Sequence, residues 1–113
     1  MDEIKEYSLE FLPAALNDMT EIISAFIMLE SKQGAVRIKT KMLKAADRIK
    51  LLPYSGVTVP DKKLAESGFR MVVVEKYLMF YKIFEAESKV LFYRVLNGKT
   101  NYPEFMNKLY NDK

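Results

Sequence analysis

The chain has 113 residues, half of them apolar and 29% charged, with a net charge of +3, which is typical of one ordinary globular domain spanning residues 1–113. It contains neither cysteine nor histidine, so a disulfide framework, a thiolate metal site and histidine acid–base catalysis are excluded, and no metal or other cofactor is expected. No apolar run reaches the length of a membrane span and the N-terminus lacks a signal-peptide core, which together predict a cytoplasmic protein.

The first half of the chain predicts a short strand followed by two helices. Tyr7–Phe11 alternates apolar and polar residues, which is the period of a half-buried strand. Pro13 suits the first turn of a helix that continues to about Glu30, and a second helix is predicted over Ala35–Leu52, where Pro53 ends it. The short link predicts an antiparallel helical hairpin. The stripes expected to be buried are Leu16, Met19, Ile23, Phe26 and Ile27 in the first helix and Ala35, Ile38, Met42, Ala45, Ile49 and Leu52 in the second.

Charge is divided unevenly along the chain. Residues 1–30 hold seven acidic groups and one lysine, and residues 31–113 hold seventeen basic and eight acidic groups, which is −6 against +9. Much of the positive charge falls on the polar face of the second helix, at Arg37, Lys39, Lys41, Lys44, Arg48 and Lys50. This face is either simply solvated or a surface for a polyanion or an acidic partner.

The second half of the chain predicts a three-stranded meander. The runs Phe69–Val74, Tyr77–Phe84 and Val90–Leu96 are rich in β-branched and aromatic residues, and the polar breaks between them are short enough to require antiparallel neighbours. Residues 53–67 read as a long irregular loop, and Tyr102–Tyr110 reads as a short C-terminal helix. The predicted fold is therefore α+β, a two-layer arrangement with an antiparallel sheet of about four strands and the helical hairpin on one face. The N-terminal strand is expected to pair with the last strand.

Several local patterns resemble the RelE/ParE superfamily of toxins from bacterial type II toxin–antitoxin systems. Leu52–Gly56 resembles the ending of that family's second helix, Gly68–Arg70 the opening of its second strand, and Tyr77–Tyr81 the centre of its third strand. Arg94–Tyr102 resembles the family's last strand and the turn after it. No single motif identifies the family, but the motifs occur in the family's order and together span nearly the whole chain.

The resemblance implies a protein that arrests growth and is held inactive by a cognate antitoxin. RelE-like members cleave mRNA on the ribosome, whereas ParE-like members poison DNA gyrase. RelE-like nucleases commonly have an arginine where this chain has Leu78, a further basic residue where it has Thr100, and often a histidine where it has Asn97. These departures weaken the nuclease interpretation, and an apolar residue at the Leu78 position is typical of ParE-like members.

Cleavage of RNA by this route needs a stabilised phosphate and a protonated leaving oxygen. Within the resemblance, Arg70, Lys99 and Tyr102 are the candidate catalytic residues, and Lys62, Lys63, Lys82 and Arg94 are the candidate phosphate-binding residues. Because alternate strand residues share a face, we expect Arg70, Lys82 and Arg94 to lie together on the face away from the helices, with Leu78 half-buried on the same side. The alternative interpretation gives these residues no part in catalysis. Arg70 would then only stabilise the fold by pairing with a carboxylate such as Glu75, and Lys82 and Arg94 would be solvated side chains on the sheet.

Three functions remain open from the sequence. The candidate triad favours a ribosome-dependent mRNA-cleaving toxin that binds ribosome and mRNA. The alternative is a DNA gyrase inhibitor without enzymatic activity. The third is an inactive relative that only binds the antitoxin.

Overall fold

The computed structural model describes residues 5–111, and its strands and helices follow the predicted order with two additions. In chain order the elements are β1 (Ser8–Phe11), α1 (Pro13–Leu29), α2 (Lys32–Leu51), β2 (Val57–Thr58), α3 (Lys62–Glu66), β3 (Arg70–Val74), β4 (Tyr77–Phe84), β5 (Lys89–Asn97) and α4 (Tyr102–Tyr110), with a 3-10 turn at Pro53–Ser55. The hairpin, the meander and the C-terminal helix are confirmed. The stretch read as a loop contains the two additions, β2 and α3.

All strands belong to one sheet in the order β1-β5-β4-β3-β2. The prediction that the N-terminal strand pairs with the last strand is confirmed, but this pair is parallel and β2 adds a fifth strand, so the sheet is mixed. β2 runs antiparallel to β3 and adds one reversal of the chain between the hairpin and the meander. β5 consequently runs in the same direction as β1.

The helices α1 and α2 cover one face of the sheet, called here the hairpin face. The side chains buried between them and the sheet include Ala15, Met19, Phe26, Ala35, Ile38, Met42, Ala45, Ala46, Ile49, Tyr77, Met79, Tyr81, Val90, Phe92 and Val95. Three residues of the predicted stripes are instead about half exposed or more. Leu52 follows the end of α2, and Leu16 and Ile27 lie on the far side of α1.

The other face of the sheet, called here the outer face, carries a second and smaller core under α3 and α4. It is built from Val59, Leu64, Phe69, Met71, Phe80, Leu96 and Met106. Two layers were predicted, and these two short helices add a partial third. No helix within residues 5–111 is both long and apolar enough to cross a membrane.

Hydrogen bonds at the helix ends account for one helix start that the sequence pattern misplaced and for one helix that it missed. The Ser31 hydroxyl accepts a hydrogen bond from the Gly34 amide at 2.9 Å, so α2 begins at Lys32 and not at Ala35. The Asp61 carboxylate accepts from the Leu64 amide at 3.0 Å and starts α3 in the same way.

Candidate functional site

The predicted site residues are divided between the two faces of the sheet. Arg70 lies opposite Tyr81, whose side chain is in the main core on the hairpin face. The expectation that Arg70 shares the outer face with Lys82 and Arg94 is therefore wrong for Arg70. Leu78 does lie half-buried on the outer face, as predicted.

A β-bulge at Tyr93 changes the alternation along β5. Phe80 pairs with Arg94 and the next residue, Tyr81, pairs with Phe92, so Tyr93 is an extra residue in its strand. The expectation that Phe92 and Arg94 point to the same side is wrong for this reason. Phe92 enters the main core, and Arg94 lies with Phe80 on the outer face.

The Arg70 guanidinium holds the turn that follows α2. One terminal nitrogen donates to the carbonyl oxygens of Tyr54 at 3.0 Å and Gly56 at 2.8 Å, and the guanidinium lies 5.4 Å from the centre of the Tyr54 ring. The Arg70 Nε atom is buried without a hydrogen-bond partner in the described chain. In this position the Arg70 side chain stabilises the turn. Its hydrogen-bond partners are backbone carbonyls and not the Glu75 carboxylate that the structural alternative predicted.

The same turn is tied to the sheet by a buried tyrosine. The Tyr81 hydroxyl donates to the Pro53 carbonyl at 2.6 Å, and burial raises the pKa of this phenol. Gly56 passes directly over this contact. A Cβ at Gly56 would overlap the Tyr81 hydroxyl and lie 2.8 Å from the Met71 carbonyl oxygen.

Replacing Gly56 by alanine should therefore lower the free energy of unfolding by about 3 kcal/mol, because the added methyl group must displace a buried side chain. Urea denaturation followed by circular dichroism measures the change. The double variant Gly56→Ala with Tyr81→Phe removes the overlapping hydroxyl and should lose less stability than the sum of the two single changes. Simple additivity would contradict this reading of the turn.

A single carboxylate joins the N-terminal segment to this turn. Glu85, just after β4, accepts hydrogen bonds from Lys5 at 2.7 Å, from the Tyr7 hydroxyl at 2.8 Å and from the Tyr54 hydroxyl. These donors, Lys5 first, lower the pKa of Glu85 to about 2. The network fixes the Tyr54 ring beside the Arg70 guanidinium.

The side chains of Lys82 and Arg94, both on outer-face positions of the sheet, are held by neighbouring residues. The Lys82 ammonium lies 4.5 Å from the centre of the Phe69 ring and 5.4 Å from that of Tyr93, and burial lowers its pKa. The Arg94 guanidinium makes two hydrogen bonds to Asp18, at 2.6 and 2.8 Å, and this contact raises the pKa of Arg94. The two side chains are only 17% and 11% exposed, so the ion pair is largely buried.

Lys99 and Tyr102 lie beyond the end of β5. The Gly98 amide donates to the Lys76 carbonyl at 2.7 Å, which holds this turn against the β3–β4 connection and leaves the Lys99 side chain exposed. The Tyr102 ring packs 5.2 Å from that of Phe80 on the outer face, and burial raises the pKa of its hydroxyl.

Lys62 and Lys63 lie in α3, whose position is fixed by a contact with α4. The Asp61 carboxylate that caps α3 also accepts a hydrogen bond from the Asn107 side chain at 3.0 Å, and this bond is the main cause of the lowered pKa of Asp61. Both lysines are exposed, and Lys63 lines an opening shared with Lys108.

These positions do not converge on one phosphate. Arg70 is opposite Tyr81 and Asn97 is opposite Tyr77, so Arg70 and the turn that carries Lys99 are separated by four positions along β4, or roughly 13 Å. Tyr102 lies on the outer face and Arg70 on the hairpin face. The predicted catalytic roles remain predictions.

Sequence reasoning did not find Asp18, Glu85 or Tyr54 as organising residues. Asp18 lies on α1, and the periodicity of that helix assigns no partner to its side chain. Its carboxylate instead accepts hydrogen bonds from Arg94 and from the Val95 amide at 2.9 Å, on the edge of β5 that β1 leaves free. No pattern within one strand or one helix signals such a contact.

Comparison with known proteins gives one family and a shared fold. A family described as the ParE toxin of the type II toxin–antitoxin system, parDE, matches residues 9–102. No curated protein matches the chain. A structure titled as the chromosomal ParDE toxin–antitoxin system of P. aeruginosa is similar with a TM-score of 0.68 and 14% identity, covering 82% of this chain and 97% of that one. The RelBE2 toxin–antitoxin complex of Mycobacterium tuberculosis is similar with a TM-score of 0.56 and 19% identity, covering 86% and 97%.

Proposed function

The chain belongs to the ParE toxin family of type II toxin–antitoxin systems, within the RelE/ParE superfamily, and on this premise we propose that it arrests bacterial growth by inhibiting DNA gyrase in the cytoplasm. A cognate antitoxin holds it inactive. The action is by binding and does not involve cutting RNA.

The separation of the candidate catalytic residues is the observation that supports this proposal. In-line cleavage of RNA needs a cation and a proton donor within hydrogen-bond reach of the same phosphate. One terminal nitrogen of Arg70, on the hairpin face, donates to two backbone carbonyl oxygens. Tyr102 lies on the outer face, and burial raises the pKa of its hydroxyl. Arg94 is neutralised by Asp18. Phosphate binding at this site would require Arg70 and Arg94 to give up their present partners.

The surface best suited to a large target lies where α3 and α4 meet. Lys62, Lys63, Lys99 and Lys108 supply positive charge there, and none of them forms a salt bridge within residues 5–111. Phe105 and Leu109 on α4 are 37% and 52% exposed and one helical turn apart. Exposed apolar residues next to polar and charged ones are typical of a protein-binding surface, and here Glu104 lines the same opening as Lys63 and Lys108. We assign the gyrase contact to this surface, called here the α3–α4 surface.

Ribosome-dependent mRNA cleavage is the second candidate, and one observation favours it. The unpartnered Nε atom of Arg70 lies beside an opening of about 260 Å³ lined by Tyr54, Thr58, Phe69 and Arg70. An anion in this opening would contact the Arg70 side chain, and a small shift of that side chain would expose its unpartnered Nε donor. The nearest other candidate cation on the sheet, Lys82, is directed to the outer face over its aromatic neighbours.

Expression of the chain alone in a bacterial host should stop growth, and co-expression of the antitoxin encoded beside it should restore growth. Charge reversal at Lys63 and Lys108 together should relieve the arrest, because both residues lie on the α3–α4 surface. Reversal at Lys39 and Lys50, which are exposed on α2, is the matched control and should leave the arrest intact. Normal growth with the soluble wild-type chain would instead identify an inactive relative.

A further inference from the structure

The helical hairpin has an apolar groove on the side that faces away from the sheet. Leu16 and Ile27 of α1 and Val36 and Leu43 of α2 are between 42% and 65% exposed. The first two are three helical turns apart and the last two are two turns apart, so each pair lies on one side of its helix. An opening of about 300 Å³ between the helices is lined by Ile23, Ile27, Lys32, Ala35, Val36 and Lys39. The groove therefore has no cover within residues 5–111.

The two helices that form the groove carry opposite charge. α1 contains Asp18 and Glu21 and no basic residue, whereas α2 contains seven basic residues and one acidic residue, a net charge of +6. Lys32 and Lys39 border the groove itself. An apolar groove bordered by lysines suits a helix that presents apolar and acidic residues. Within residues 5–111, α1 is the one helix whose charged residues are all acidic, so a second copy of the chain supplies such a helix.

Two exposed and oppositely charged side chains point away from the sheet. Glu21 and Lys44 each follow a buried methionine, Met19 and Met42, by two residues, which is about 200° around the helix. Neither side chain forms a salt bridge within the described part of the chain. Both are therefore available to a partner that packs on the hairpin.

Charge selects one of the two ways in which two copies can join these grooves with twofold symmetry. Placing α1 over α1 would also place α2 over α2, and two helices of net charge +6 would repel each other. Placing α1 over α2 joins each acidic helix to a basic one, with neighbouring helices antiparallel as in a four-helix bundle. Residues at the same height of the hairpin then meet across the interface. Counted from the link at residues 30–31, Leu16 and Leu43 differ in height by about 3 Å. Ile27 and Val36 differ by about the same amount, so apolar residues meet at two levels.

We propose that the chain forms a twofold symmetric dimer through this groove, with α1 of each copy packed on α2 of the other. Glu21 then differs in height from Lys44 of the second copy by about 6 Å, which the length of a lysine side chain spans. The inference goes beyond the proposed function, because α3 and α4 lie on the other face of the sheet and stay accessible in the dimer.

The size of the hairpin sets the strength of this dimer. Helices of 17 and 20 residues are about 25 and 30 Å long and together about 20 Å wide, a footprint of roughly 500 Å² per copy. A standard stable interface buries about 800 Å² per partner. The dimer is therefore weak and depends on concentration.

Sedimentation equilibrium of the purified full chain tests for the dimer. Between about 1 and about 200 µM, the average mass should rise from 13.1 kDa towards twice that value. The double variant Val36→Lys with Leu43→Lys should raise the dissociation constant of the dimer about tenfold or more, because it buries unpaired cations in the interface. Leu109→Lys on α4, where the leucine is 52% exposed, is the matched control and should change that constant by less than about twofold. Circular dichroism checks that both variants fold. A chain that stays monomeric throughout would overturn the proposal and leave the groove to another partner.

Charge exchange between the two helices tests the arrangement of the copies. Glu21→Lys and Lys44→Glu should each weaken self-association about tenfold, because both symmetric contacts then join like charges. An equal mixture of the two variants should dimerise about as strongly as the wild type, since their heterodimer joins opposite charges at both contacts. Such recovery requires α1 of one copy to lie on α2 of the other. Absence of recovery in the mixture would reject the proposed dimer.

Discussion

Replacing Asp18 by alanine should lower the free energy of unfolding by about 3–5 kcal/mol, the largest stability effect expected for a single charged residue in this chain. The change leaves the largely buried Arg94 guanidinium without its counter-ion and the Val95 amide without its acceptor. An uncompensated buried charge costs far more than the loss of an exposed ion pair. Since small domains are stable by only about 5–15 kcal/mol, the variant should be close to unfolding at 37 °C.

Chemical denaturation followed by circular dichroism measures this loss, and two further variants separate its causes. Asp18→Asn keeps the shape and one acceptor and should lose less than Asp18→Ala. Adding Arg94→Met to Asp18→Ala removes the stranded charge and should recover part of the stability. Glu21→Ala on the same helix changes an exposed carboxylate and should stay within about 0.5 kcal/mol of the wild type. A loss below about 1 kcal/mol for Asp18→Ala would mean that the ion pair is not buried in solution.

The main elements were predictable because each has a local signal of adequate length. α1 and α2 show apolar residues at helical spacing, whereas from Phe69 onward the chain has runs of β-branched and aromatic residues typical of strands. The short polar breaks between these runs require neighbouring strands to be antiparallel, which predicts the meander. β2 was missed because two residues, Val57 and Thr58, are too few to show alternation. α3 was missed because a five-residue helix is recognised only through its cap, Asp61, and the preceding turn residues mask that signal.

The site was harder to predict because side-chain direction depends on register between strands. Alternation correctly placed Leu78 and Lys82 on one side of β4. Alternation within β3 does not show that Arg70 lies opposite Tyr81; that pairing follows from the two-residue turn between Val74 and Tyr77, the ends of the predicted strands. The bulge at Tyr93 has no glycine or other local marker in the sequence. Only the pairing of β4 with β5 shows that Phe92 and Arg94 point to opposite faces of the sheet.

Purified toxin should inhibit negative supercoiling by DNA gyrase and leave messenger RNA on translating ribosomes uncut. The reason is that Arg70 lies on the hairpin face and Tyr102 on the outer face, whereas the α3–α4 surface is open and carries Lys63 and Lys108. Charge reversal at Lys63 and Lys108 should raise the concentration needed for half-inhibition of supercoiling about tenfold or more, because attraction to the target becomes repulsion. The matched reversal at Lys39 and Lys50 should leave that concentration nearly unchanged.

Toeprinting on translating ribosomes tests the nuclease alternative with the same purified toxin, because it detects cut messenger RNA. If the chain is a nuclease, Lys99→Ala and Tyr102→Phe should each slow cleavage ~100-fold, because each removes a group that acts on charge or a proton in the transition state. Arg70→Ala is less diagnostic, since it also releases the Tyr54 and Gly56 carbonyls and should destabilise the turn. Cut messages together with unaffected supercoiling would therefore reject the gyrase proposal. Such a result would require Arg70 to exchange its two backbone carbonyls for the phosphate when the ribosome is bound.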